Sequence, residues 1–221
     1  MSKNIIFSSY IMNNNWPYDE DRYGSKFQEH LAEYAELVGA DYEYLFEKQP
    51  HISWNEATLS KIYCIIRFAY SLKLAEYDKM LWIDSDIIIR RPVDVFNDFS
   101  DGISIVYGDF LPLHYHQFDD FDRDKAEFYE QNNDSGCRIY YKVNSAMFLL
   151  DRKAARAIAD EFFFSRLQDF HDENIIELAM PKLEKSFFPH VSNVGENKDT
   201  PFVHYCGIEA KKQLINLWSS K

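Results

Sequence analysis

The opening of the chain constrains its fold most: a short apolar strand, an amphipathic helix and a second strand follow one another within the first 46 residues. Asn4 to Tyr10 carries the buried-strand run Ile5-Ile6-Phe7 and ends on polar Ser8-Ser9. From about Tyr23 to Val38, Phe27, Leu31, Tyr34 and Leu37/Val38 recur every three to four residues, which marks one face of a helix. Gly39 stops that helix as a C-cap does. Asp41 to Phe46 then alternates as a strand. A strand, a helix and a strand in this order form the βαβ unit of a parallel sheet.

The same alternation continues. A helix is expected from about Thr58 to Leu74, a strand over Lys79–Ile83, a further apolar run over Ile87–Ile89, and a strand over Gly102–Tyr107. Asp109 to Gly136 is polar, aromatic and acidic, and is expected to leave the sheet. Tyr140–Leu150 is a predicted strand, Arg152–Phe163 and Asp172–Ala179 are predicted helices, Phe202–Tyr205 a short strand and Glu209–Trp218 a last helix. No repeat, low-complexity linker or composition break divides the 221 residues, so one α/β domain spanning 1–221 is expected.

Composition narrows the partners. With 46% hydrophobic and 27% charged residues the chain is an ordinary globular one. Its net charge of −12 repels nucleic acid and anionic membrane, so a phosphate-bearing ligand has to be met locally, through a metal or a few placed cations. No basic leader with a long apolar core and no run of about 18 apolar residues is present, so neither a signal peptide nor a transmembrane segment is expected. Cys64, Cys137 and Cys206 are odd in number and widely spaced, which suits reduced thiols and a cytoplasmic location. Aromatics reach 17%; the extra rings serve either a Phe-rich core or a pocket for a base or sugar.

The chemistry centres on Asp84-Ser85-Asp86. Four Asp-x-Asp triplets occur, and about two are expected by chance from the composition, so the bare motif is weak. Asp84 and Asp86 differ from the triplets at Asp19/Asp21, Asp120/Asp122 and Asp122/Asp124 because they interrupt an apolar strand, where an unpaired carboxylate is costly. Side chains two apart in an extended segment share one side, so the two carboxylates are expected to converge. At the C-terminal end of a strand in an open α/β sheet they suit a hard divalent cation. A solvated turn between two strands is the alternative.

In this setting the chain resembles the retaining GT-A glycosyltransferases. Leu59-Ser60-Lys61-Ile62-Tyr63, Arg67 and Tyr77 to Ile88 are similar to the core of family 8 (glycogenin and bacterial galactosyltransferases) and family 34. Asn144-Ser145-Ala146-Met147-Phe148, Asp169-Phe170-His171-Asp172-Glu173 and Val203-His204-Tyr205-Cys206-Gly207 resemble three later segments, in the right order. The resemblance covers nearly the whole chain and implies a single GT-A domain with a Rossmann-like, mostly parallel central sheet flanked by helices.

It implies Mn²⁺ or Mg²⁺ on Asp84, Asp86 and His204, with Mn²⁺ favoured by the imidazole. As donor it implies a nucleotide sugar, with UDP-glucose or UDP-galactose as the default UDP-hexose, and as acceptor a glycan met by the Asp109–Gly136 excursion. Lys61 and Arg67 are candidates for the donor's phosphates or sugar hydroxyls, Arg67 after family 8 and Lys61 after glycogenin. Ser8, Ser9 and Tyr10 stand where similar enzymes hold base and ribose; Tyr10 is otherwise a core aromatic. Ser85 accompanies the carboxylates at the donor, and Asn144 and Ser145 face the sugar or acceptor. Gly207 and Lys211 fall near the diphosphate, although Ala210 stands where family 8 has its Lys. Asp169, Asp172 and Glu173 are the catalytic candidates, Glu173 replacing the usual Gln; an acidic helix start is the plainer account. Two rival functions carry over to experiment: a haloacid-dehalogenase-type phosphatase, and a non-catalytic module that binds metal or sugar nucleotide.

Overall fold

The computed structural model describes residues 3–12, 20–49, 51–99, 101–114, 139–164, 172–187, 191–195, 199–206 and 208–219. Its frame is a six-stranded sheet in the order β2-β1-β3-β6-β5-β7. The strands are β1 (Asn4–Met12), β2 (Asp41–Lys48), β3 (Lys79–Ile83), β5 (Ile103–His114), β6 (Ile139–Asp151) and β7 (Lys185–Phe187). β1 pairs in parallel with β2 and β3, β5 pairs in parallel with β7, and β6 runs antiparallel between β3 and β5. The expected βαβ opening and the mostly parallel sheet flanked by helices are both present. A second, three-stranded sheet joins β4 (Ile87–Ile89), β9 (Phe202–His204) and β8 (Val191–Asn193), in the order β4-β9-β8.

Residues of the central strands are buried on both sides, which is why the strands read as continuous apolar runs. Alternation sorts them by face. Ile6, Leu81, Ile83, Met147 and Leu149 pack under Phe27, Leu31, Tyr34 and Ala35 of α1 (Glu20–Val38). Ile5, Phe7, Met80, Trp82, Phe148 and Leu150 meet the other face, covered by α2 (Trp54–Tyr70), α3 (Arg152–Phe164) and α4 (Asp172–Ala179). A last helix, α5 (Ile208–Ser219), contributes Ala210 and Leu214 to a smaller cluster with Tyr10, Val203 and Tyr205.

Some boundaries move for local reasons. Gly39 ends α1 with φ +64°, a left-handed conformation that glycine adopts without a Cβ penalty. α2 begins at Trp54 rather than Thr58, because Ser53 and Glu56 form a capping box: Ser53 Oγ accepts from Glu56 N–H at 3.2 Å and Glu56 Oε2 from Ser53 N–H at 2.8 Å. It stops at Tyr70, and a 3₁₀ turn at Leu72–Leu74 follows. β5 continues to His114, so residues 109–114, expected to leave the sheet, are part of it; residues 115–138 lie outside those described. The start of β5 is held against β7 by Gly102, where an added Cβ would lie 2.2 Å from the Glu184 carbonyl oxygen. Among the described residues, no helix is long and apolar enough to cross a membrane.

Candidate metal and donor site

Asp84 to Ile87 is a turn rather than continuous strand. The Ile87 N–H donates to the Asp84 carbonyl at 3.0 Å, folding the chain back between β3 and β4. Strand alternation is therefore not what brings the two carboxylates together, as the sequence suggested; the turn does. Its two ends are anchored: Asp84 N–H donates to the Ala146 carbonyl of β6 at 2.8 Å, and Tyr205 N–H to the Asp86 carbonyl at 2.9 Å. Ser85, half-buried, sits at the apex. Antiparallel pairing of β4 with β9 sets Ile87 opposite His204, which delivers the imidazole beside Asp86. Ligand atoms of Asp84, Asp86 and His204 lie within 4.8 Å of one another.

On one side of this cluster stands Lys61. Its ammonium lies 3.0 Å from Asp84 Oδ2 and 3.1 Å from Asp172 Oδ2, and it donates to Ser145 at 2.9 Å (Oγ) and 3.2 Å (carbonyl). An ammonium has three hydrogens, and here four protein oxygens surround it in a site that leaves Lys61 7% exposed. Lys61, expected at a donor, is engaged here by Asp84, Asp172 and Ser145. Ser145 Oγ in turn donates a short hydrogen bond to Asp172, and Trp82 Nε1 donates to Asp84 Oδ1 at 2.6 Å. Burial works against the charge on Lys61, but Asp172 and Asp84 outweigh it and hold its pKa above the ordinary value.

On the other side, Lys211 reaches Asp86 Oδ2 at 3.0 Å from α5, and His204 Nε2 stands 3.4 Å from Asp86 Oδ1. Asp86 is 8% exposed, yet its Oδ1 has no hydrogen-bond partner, and neither does the buried Nδ1 of His204. Burial pushes the Asp86 carboxyl up, but Lys211 and then His204 overcome it and keep the group below the usual carboxylate range. Asp84 moves the opposite way: burial raises it, Lys61 resists, and the charges of Asp86 and Asp172 add to the rise. Half-buried Asp84 and buried Asp86 and Asp172 are met by the ammonium groups of Lys61 and Lys211. Buried oxygen and nitrogen atoms left without partners, among carboxylates and an imidazole, fit a divalent cation. Among the described residues this is the group that could hold a metal.

The remaining candidates divide. Asp172 and Glu173 open α4; Asp172 is 3% exposed and engaged by Lys61 and Ser145, while half-buried Glu173 accepts one 3.3 Å hydrogen bond from Ser145 N–H. Asn144 spends its Oδ1 on the Ala146 N–H at 2.9 Å. Ser9 Oγ pairs with Ser60 Oγ at 2.7 Å, and Ser8 is buried. Tyr10 is packed in the α5 cluster and stacks on Phe46 at 6.0 Å. Arg67 turns away from the cluster to Glu43 at 2.7 Å. Asp169 and Gly207 lie outside the described residues, as do residues 120–124. Trp82 is a site residue that sequence reasoning passed over. Its signal was available: it stands two positions before Asp84 in an alternating strand.

No protein-family model matches the sequence, and no curated protein matches it either. Among solved structures the chain is similar to a glycosyltransferase involved in the glycosylation of the major capsid of PBCV-1. The two share 17% sequence identity with a TM-score of 0.62 over 99% of this chain and 100% of that one. At that identity the likeness establishes the fold, which is the GT-A-like one expected from the sequence.

Proposed function

We propose that the protein is a metal-dependent glycosyltransferase that moves a hexose from a nucleotide sugar, UDP-glucose or UDP-galactose, to a glycan or protein-glycan acceptor with retention of anomeric configuration. One observation carries this: Asp84 and Asp86 of the β3–β4 turn and His204 of β9 converge at the C-terminal end of a central strand and leave buried ligand atoms without partners. Open α/β sheets place their ligands at that end. The likeness to a glycosyltransferase over the full length of both chains supports the reading, as does the resemblance of the ordered motifs.

In this account Asp84, Asp86 and His204 hold Mn²⁺ or Mg²⁺, which when bound offsets the charge growing on the departing nucleotide diphosphate. Lys61 and Ser145 hold Asp84 and Asp172 in place rather than touching the donor. Glu173, one residue on and less engaged, is assigned to the sugar, where its carboxylate stabilises positive charge at the anomeric carbon. Lys211, beside Asp86, is assigned to the diphosphate.

The test is a hydrolysis and transfer assay on UDP-glucose and UDP-galactose with Mn²⁺ and with EDTA. Metal-dependent release of UDP is expected, with a product whose anomeric configuration, read by NMR before mutarotation, matches the donor. Release of inorganic phosphate from simple phosphate esters would instead identify a phosphatase, and metal-dependent nucleotide binding without turnover a non-catalytic module.

A further inference from the structure

Lys211 stands on one of the carboxylates that a metal ion would draw on. Its ammonium sits 3.0 Å from Asp86 Oδ2, on the same carboxylate whose other oxygen faces His204 at 3.4 Å. A divalent ion drawing on Asp84, Asp86 and His204 would add two positive charges within a few ångströms of that ammonium. The two cations therefore compete for one carboxylate.

The surroundings decide which of them yields. α5 is pinned by Ala210 and Leu214, which pack against Tyr10, Val203 and Tyr205, so the helix backbone is fixed while a four-carbon stem carries the charge. The Lys211 side chain keeps 19% of its surface exposed, against 9% for Lys61, which is enclosed by Asp84, Asp172 and Ser145. Of the two, Lys211 is the less enclosed by protein.

We propose that Lys211 is a resident counter-ion of the metal-free site, and that metal binding exchanges it off Asp86. The proposal rests on reading Asp84, Asp86 and His204 as a metal site, and adds that the protein's own cation holds the site's affinity down until the ion displaces it. In the metal-free protein Lys211 offsets the charge of Asp86; after exchange its three donors are released toward the pocket.

Calorimetric titration of the full chain with Mn²⁺ alone, without nucleotide, tests this on wild type, K211M, K211R and K212M. K211M removes the competing charge at similar length and is expected to bind Mn²⁺ about tenfold more tightly than wild type. K211R keeps the charge and is expected within about twofold of wild type. K212M, which removes an exposed ammonium paired with Glu209, is expected to be equally unchanged, separating the local contact from net charge. If thermal melting shows K211M to be poorly folded, K211Q serves as the uncharged variant. Equal or weaker Mn²⁺ binding by the uncharged variant, with wild type binding well, overturns the exchange and leaves the metal site standing. Failure of every variant to bind Mn²⁺, even with UDP present, overturns both.

Discussion

Asp84 and Asp86 are two residues apart and chemically identical, yet the structure treats them in opposite ways. The Asp84 side is a closed network in which Lys61, Trp82, Ser145 and Asp172 use one another's donors and acceptors. The Asp86 side, built from β9 and α5, leaves Asp86 Oδ1 and His204 Nδ1 buried without hydrogen-bond partners beside the Lys211 ammonium. The difference separates frame from socket. Asp84, a proposed ligand itself, is held in place by the protein, whereas Asp86 and His204 keep buried atoms unpartnered for the ion.

Breaking the frame is expected to have the largest effect on stability. Lys61→Met removes the buried cation from between Asp84 and Asp172 and leaves two carboxylates facing each other, a change that costs about 3–5 kcal/mol. For a chain of this size that lowers Tm by about 10 °C, read by differential scanning calorimetry. If Lys61→Met melts with wild type, the closed network is not a frame and the contrast fails.

Breaking the socket is expected to spare the fold and abolish the ligand. Asp86→Ala removes the carboxylate shared by His204 and Lys211, and Mn²⁺ affinity is expected to fall at least about a hundredfold while Tm stays within about 3 °C of wild type. Mn²⁺ titration and a thermal melt on the same sample check both halves. A variant that unfolds outright would place Asp86 in the frame with Asp84.

Glu173 lies between the two regions. Glu173→Gln retains shape and hydrogen bonding to Ser145 N–H while removing the charge. With Glu173 facing the anomeric carbon, kcat falls by roughly a hundredfold, about 2.7 kcal/mol, with KM for the donor little changed. A trapped glycosyl-enzyme would identify a nucleophile instead. Activity within about threefold of wild type would reduce the residue to an acidic helix start.

Arg67→Ala is the smallest change, since the Arg67–Glu43 pair is only half-buried and Arg67 is engaged by Glu43 rather than by the cluster. Less than about 1 kcal/mol of stability and no loss of Mn²⁺ binding are expected. A large loss of donor affinity would return Arg67 to the site.

The sequence carried the outline of both regions but not their contrast. Ile5, Ile6 and Phe7, the α1 stripe and Met80 to Ile83 announced the sheet because burial on both faces leaves an apolar run that needs no partner to be recognised. β7 and β8 were not legible: three residues, Lys185–Phe187 or Val191–Asn193, are too few to show a period. The end of β5 was hidden because Gly108, Asp109 and Pro112 interrupt its pattern, and the strand accommodates them with register shifts against β6. Within the site, Asp84 and Asp86 stood out by position, and His204 by the ordered motifs. That Lys61 is consumed by Asp172 and Ser145 could not be read, because it depends on how α2, β6 and α4 pack, which no local spacing encodes.

The central claim is that this socket takes a divalent ion and, through it, a nucleotide sugar. Thermal melting with UDP-glucose or UDP-galactose, in Mn²⁺ and in EDTA, tests it most directly. A ligand at 100 times its dissociation constant stabilises the folded protein by about 2.7 kcal/mol, which raises Tm by about 5–10 °C. The account predicts that shift in Mn²⁺, none in EDTA, and none for Asp86→Ala in either. An equal shift in EDTA, or one that survives the loss of Asp86, would contradict it.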